Sequence, residues 1–244
     1  MTISVSLKNL IGFRRQLPVV DAHLLRLLLS IDLALIIVHC FAGVYFDKIP
    51  PILNIALDWS FAEIVSYGKW VAAVALLIVI YRRTGLPVYL GFATLFAVVT
   101  IDDSAQLHER IGATLANIYP GLITQDGGEL IAFAGIAVFI LPVLAITTLR
   151  SGKPGRSVAV CLTGLVAILA IFGIFVDALH LVLPRLPYLP QFLDLVEDGG
   201  EMITGSIIVA YLLARSDDIR NQVRTAGFLA ALERNFGRNT ISEK

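Results

Sequence analysis

Long apolar stretches alternate with short polar ones along nearly the whole chain. Six of the apolar stretches are long enough to span a bilayer as helices: about 24–46, 61–81, 86–108, 127–149, 157–183 and 200–215. The last is the shortest and needs to begin near Glu201 and run slightly past Arg215. The pattern predicts an all-α integral membrane bundle of six transmembrane helices. It is organised as an N-terminal segment (1–23), a transmembrane domain (24–216) and a C-terminal segment (217–244). In the last segment Ile219, Val223, Leu229, Leu232 and Phe236 recur at helical spacing between charged residues. That predicts an amphipathic helix on the membrane surface. Leu7, Leu10, Ile11 and Phe13 beside Arg14 and Arg15 predict a shorter one at the N-terminus.

Composition agrees. Hydrophobic residues make up 57% of the chain and mean hydropathy is +0.81, more apolar surface than a soluble domain can hide. Net charge is zero, so nothing points to nucleic acid; the expected partners are the lipid bilayer and a lipid-like small molecule. Cys40 and Cys161 form no CxxC motif and fall near opposite ends of their spans, so no disulfide is expected. No short apolar core with a cleavage site precedes the first span, so no removable signal peptide is expected.

The positive charges sort by side. Lys8, Arg14, Arg15 and Arg26 flank the start of span 1; Arg82 and Arg83 follow span 2; Arg150, Lys153 and Arg156 follow span 4; Arg215, Arg220 and Arg224 follow span 6. The alternate loops hold only Lys48, Arg110 and Arg185. The positive-inside rule then predicts a protein of the cell (inner) membrane with both termini cytoplasmic.

One polar pattern is written twice. His108-x17-Asp126-Gly-Gly-Glu129 recurs with the same spacing as His180-x17-Asp198-Gly-Gly-Glu201. In the predicted topology both copies join an outgoing helix to a returning one. This implies an internal duplication of helical hairpins, spans 3–4 and 5–6. Ionisable residues at such positions are costly to desolvate and are functional candidates by default. His and carboxylate side chains brought together suit zinc, iron or manganese.

The candidate ligands are Asp102, His108, Glu129, Asp177, His180 and Glu201, with Asp103, Glu109, Asp126, Asp198 and Lys69 as supporting or proton-relay residues. Asp177-x-x-His180 shares one helical face and resembles half of the di-metal motif of four-helix bundles. Position 105 is Ala, so span 3 lacks the matching carboxylate. On a continuous helix His108 lies about 120° from Asp102, while Glu109 lies within about 20° of it, so one metal does not easily take all three.

Other readings stand beside the metal. Asp126 and Glu129 form a capping box for span 4, as Asp198 and Glu201 do for span 6. The glycine doublets Gly127-Gly128 and Gly199-Gly200 argue against caps alone, since glycine is a poor helix former and permits close approach of backbone or ligand. Lys69, at the expected depth of Asp102 and Asp103, pairs with either of them in a structural reading. Ser60 and Glu63 have cap spacing. His39 is an extra ligand, a relay or a helix–helix hydrogen bond, and Asp32 lies too deep for the main site.

The string Ile101-Asp102-Asp103-Ser104-Ala105-Gln106-Leu107-His108-Glu109-Arg110 resembles a family of uncharacterised bacterial multi-pass membrane proteins. Its members carry Leu-Asp-Glu or Asp-Asp, four residues, then His-Glu. They also carry a Glu-Asp/Glu-Gly-x-Glu-Met motif near the last helix, matched by Glu197-Asp198-Gly199-Gly200-Glu201-Met202. The resemblance spans roughly Ser60 to Ala214 and implies a grouping of Asp102, His108, Glu109 and Glu201, without roles. Membrane zinc hydrolases of the ceramidase type differ, because they need a His-x-x-x-His pair that this chain lacks. Three functions follow as expectations: a metal-dependent membrane enzyme acting on a lipid-like substrate, a cation or proton transporter, and a structural protein without metal.

Overall fold

A computed structural model describes residues 22–183 and 186–239, apart from the side chains of 180, 181, 222–224 and 226–239. The described residues are all-helical, without strands. The helices are α1 (Ala22–Tyr45), α2 (Phe61–Thr84), α3 (Val88–Ala105), α4 (Leu107–Ile118), α5 (Gln125–Arg150), α6 and α7 (Leu189–Asn239). Helix α6 is one rod made of α-helical Gly152–Ala170, a π-helical turn Ile171–Val176 and α-helical Asp177–Val182. Five are long and apolar enough to cross a membrane: α1, α2, α3, α5 and α6 as far as Leu179. The expected amphipathic segment at the N-terminus lies outside the described residues. Its C-terminal counterpart continues α7 without a break.

The sixth expected span falls inside α7, which is not among the five apolar helices. Its middle is instead buried by the bundle, with Met202, Thr204, Ser206, Ile208, Ala210 and Leu212 all inside. A helix shielded by α1, α2 and α6 can keep hydroxyls and glycines on its surface, because small and polar residues let membrane helices approach and hydrogen-bond.

Local signals set the helix ends. Ser60 caps α2 by accepting from the Glu63 N–H at 3.3 Å, and Gly85 closes it in the left-handed region at φ 68°. Helix α3 stops at Gln106, which is left-handed although not glycine, at φ 53°. The expected third span therefore ends three residues early, and His108 belongs to the next helix.

The core lies between α2, α3, α5, α6 and α7. Trp70, Tyr89, Phe92 and Phe96 are fully buried there, and Trp70 stacks on Phe96 with ring centroids 5.7 Å apart. In lipid such packing contributes by dispersion rather than by removal from water. One end of the bundle is tied by Arg83 donating to the Ser216 carbonyl and hydroxyl, Val88 N–H to Ser151 Oγ, and Arg215 to the Tyr89 hydroxyl. The opposite end carries the acidic cluster.

Candidate metal centre and the cavity beside it

The break at Gln106 builds the site. Its amide side chain donates to Asp58 at 2.6 Å, which anchors a residue whose backbone costs about 1–2 kcal/mol in the left-handed region. The chain then turns back, so His108 sits over the last turn of α3. Its backbone N–H donates to Asp102 Oδ1 at 3.1 Å, and its Nδ1 lies 3.1 Å from Asp102 Oδ2. The continuous-helix expectation that held His108 and Asp102 apart is thus corrected: the angular argument fails because the helix is not continuous. Asp102, Asp103 and His108 each offer a ligand atom, and the three lie within 4.8 Å of one another.

Asp102 is buried and His108 partly exposed, at 19%, with the imidazole stacked on Phe133 at a centroid distance of 4.7 Å. Burial alone lowers the imidazole pKa, but the hydrogen bond and charge of Asp102, with Asp103 and Glu109, override it and raise it to about 8. Burial also pushes the Glu109 carboxyl up, with Asp58 and Glu129 adding to the effect.

Beside this trio lies a cavity of about 440 Å³. One end is acidic: Asp58, Glu63, Asp102, Asp103, Glu109, Glu197, Asp198 and Glu201 line it, with His108 as the sole basic side chain among the described lining residues. The other end is apolar, walled by α3, α5 and α6. Of the predicted site residues, Glu109, Asp198 and Glu201 therefore share the cavity with the trio. Glu129 stands apart, buried and bonded by Gln125 at 3.0 Å. Asp126 sits in the first turn of α5, away from the cavity wall. Asp177 opens the last turn of α6, off the lining, and bears electrostatically on Glu197. The His180 side chain lies outside the described residues.

The two motif copies occupy different places. Asp126 is in the first turn of α5, whereas Asp198 is the tenth residue of α7. The capping reading is corrected in both. Thr124, not Asp126, caps α5 by accepting from the Gly127 N–H at 3.1 Å, and Asp198 lies inside a helix with no end to cap. Close approach accounts for one glycine in each copy, of backbone in the first and of an aromatic ring in the second. A Cβ on Gly128 would lie 2.7 Å from the Gly112 backbone of α4, and one on Gly200 would enter the Phe172 ring. A Cβ on Gly173 would overlap the Glu201 carboxylate, so that side chain rests on bare backbone of the π turn. A duplication of hairpins rests on the sequence spacing alone.

Lys69 is also reassigned. Its ammonium pairs with Asp32 at 2.5 Å, not with Asp102 or Asp103, and donates to the Met202 carbonyl at 2.9 Å. Ser206 Oγ donates to the second Asp32 oxygen at 2.5 Å, so α1, α2 and α7 meet on one buried ion pair. Both residues fall near the middle of their helices, although the sequence reading set Lys69 level with Asp102 and Asp32 deeper. His39 accepts the Ile55 N–H through Nδ1 at 3.3 Å and holds the α1–α2 connection. Asp58, Glu63 and Glu197 are the lining carboxylates that the sequence did not put in the site, Glu63 being read there only as part of a cap. Glu197 opens the quoted Glu-Asp-Gly-Gly-Glu string, while Asp58 had only its place before a helix as a signal.

A family model described as Domain of unknown function (DUF8692) matches residues 23–215. No curated protein and no solved structure matches.

Proposed function

The chain belongs to the DUF8692 family, whose description carries no activity, so we propose a function from the site itself: a multi-pass membrane protein that holds one divalent cation between Asp102, Asp103 and His108. The observation that carries this reading is the mutual approach of those three ligand atoms to within 4.8 Å, in a largely buried site that opens onto a cavity. One imidazole with carboxylates suits zinc, iron or manganese, and three protein ligands leave a position for water or substrate. A bound ion would supply Lewis acidity at that position. Glu109, Asp198 and Glu201 share the cavity with it as proton-relay groups. The protein is read as an enzyme acting on a lipid-like molecule, with six crossings and both termini cytoplasmic. A transport reading has less support, because beyond the acidic end the cavity wall is apolar at Leu95, Ile140, Val166 and Leu169.

Elemental mass spectrometry of the purified protein tests this. One equivalent of zinc, iron or manganese is expected, lost in His108→Ala and retained in Glu129→Gln. Wild-type protein that stays metal-free after reconstitution overturns it.

A further inference from the structure

We infer that the cavity takes the single apolar chain of a membrane amphiphile whose head group is an ammonium, admitted sideways between α5 and α6. Three observations meet here. The first is shape. From Asp103 to Leu95 on α3, from Phe133 to Leu141 on α5, and from Ile174 to Val166 on α6, the lining runs eight residues, about 12 Å of helix rise in each case. A cavity of about 440 Å³ with one polar end and a long apolar end matches a small-molecule site with a polar head and a tail.

The second is the opening. Leu141 lines the cavity yet is 61% exposed, so the wall is thin on the α5 side. The outer surfaces of these two helices are apolar, with Phe139 on α5 and Phe175 on α6 exposed. In a bilayer that surface faces acyl chains, so the way in comes from lipid. The π turn of α6 lines the head end of the cavity at Gly173 and Ile174, and π turns inside α-helices recur at functional sites.

The third is charge. Eight acidic side chains line the head end, with His108 the sole basic one and no Lys or Arg among the described lining residues. Phosphate and carboxylate heads are repelled by such a site, while an ammonium is attracted.

The inference rests on the metal reading only for what happens to the head group; binding of the chain needs no metal. The test uses the full protein in nanodiscs and three photo-crosslinking probes with one diazirine-bearing alkyl chain and a trimethylammonium, carboxylate or phosphate head. The ammonium probe is expected to label peptides of α3, α5 and α6 roughly tenfold or more above the other two. Ala137→Phe, which fills the lining, and Leu141→Trp, which blocks the window and sits on a tolerant exposed position, are both expected to abolish that labelling while metal content stays at the wild-type level. Equal labelling by all three heads, or labelling unchanged in both variants, overturns the inference. Absence of metal with labelling intact counts against the proposed metal centre alone.

Discussion

The His108 imidazole folds back onto the carboxylate of Asp102, six residues earlier, with its backbone N–H and its Nδ1 each 3.1 Å from a different oxygen of that one side chain. This double contact exists because Gln106 interrupts the helix, and Gln106 is held by Asp58. A strained turn supported from outside is a common device for placing functional groups.

The pair sets a pH dependence. The His108 pKa is about 8 in the folded protein, above its usual value of 6.5, through Asp102. A raised imidazole pKa stabilises the fold fully below about pH 6.5, and that contribution is lost as pH rises through about 8. In metal-free protein, the stability gap between wild type and His108→Gln is expected to shrink between about pH 6 and pH 9, followed by thermal unfolding in detergent. A gap constant across that range refutes the assignment.

Lys69 and Asp32 bury opposite charges in the bundle, 5% and 0% exposed. Breaking such a pair strands one charge, at a cost of about 3–5 kcal/mol, whereas replacing both with apolar residues is often nearly neutral. Lys69→Met and Asp32→Leu are each expected to destabilise strongly, and the double variant to recover most of the loss. Lys69→Met with Asp103→Asn is expected to show no such recovery. Denaturation of the four variants side by side separates the two pairings.

Glycines at helix contacts are expected to be intolerant and free ones tolerant. Gly128→Ala meets the Gly112 backbone and Gly173→Ala meets Glu201, so each is expected to lose about 1–3 kcal/mol from overpacking. Gly164→Ala meets nothing within 4 Å and is expected to gain about 0.5–1 kcal/mol in helix stability. Comparable melting temperatures for Gly128→Ala and Gly164→Ala contradict the close approach of α4 to α5.

The sequence by itself determined the class of the protein. Runs of apolar residues longer than a membrane is thick leave little choice but helices, and five of the predicted spans are present as such. It also placed the candidate chemistry, because ionisable residues are rare enough in such helices to stand out. Asp102, Asp103 and His108 were legible as candidates, as were Asp198 and Glu201. Their partners were not. A helical wheel assumes an unbroken helix, so it set His108 against the wrong face until the left-handed Gln106 turned the chain. Equal spacing suggested equal places for two His-to-Glu motifs, yet one opens a helix and the other lies ten residues inside one. Which carboxylate meets Lys69, and which glycine meets a side chain rather than lipid, depends on how the helices rotate against one another. Packing between non-adjacent helices decides that rotation, and hydropathy along one chain does not record it.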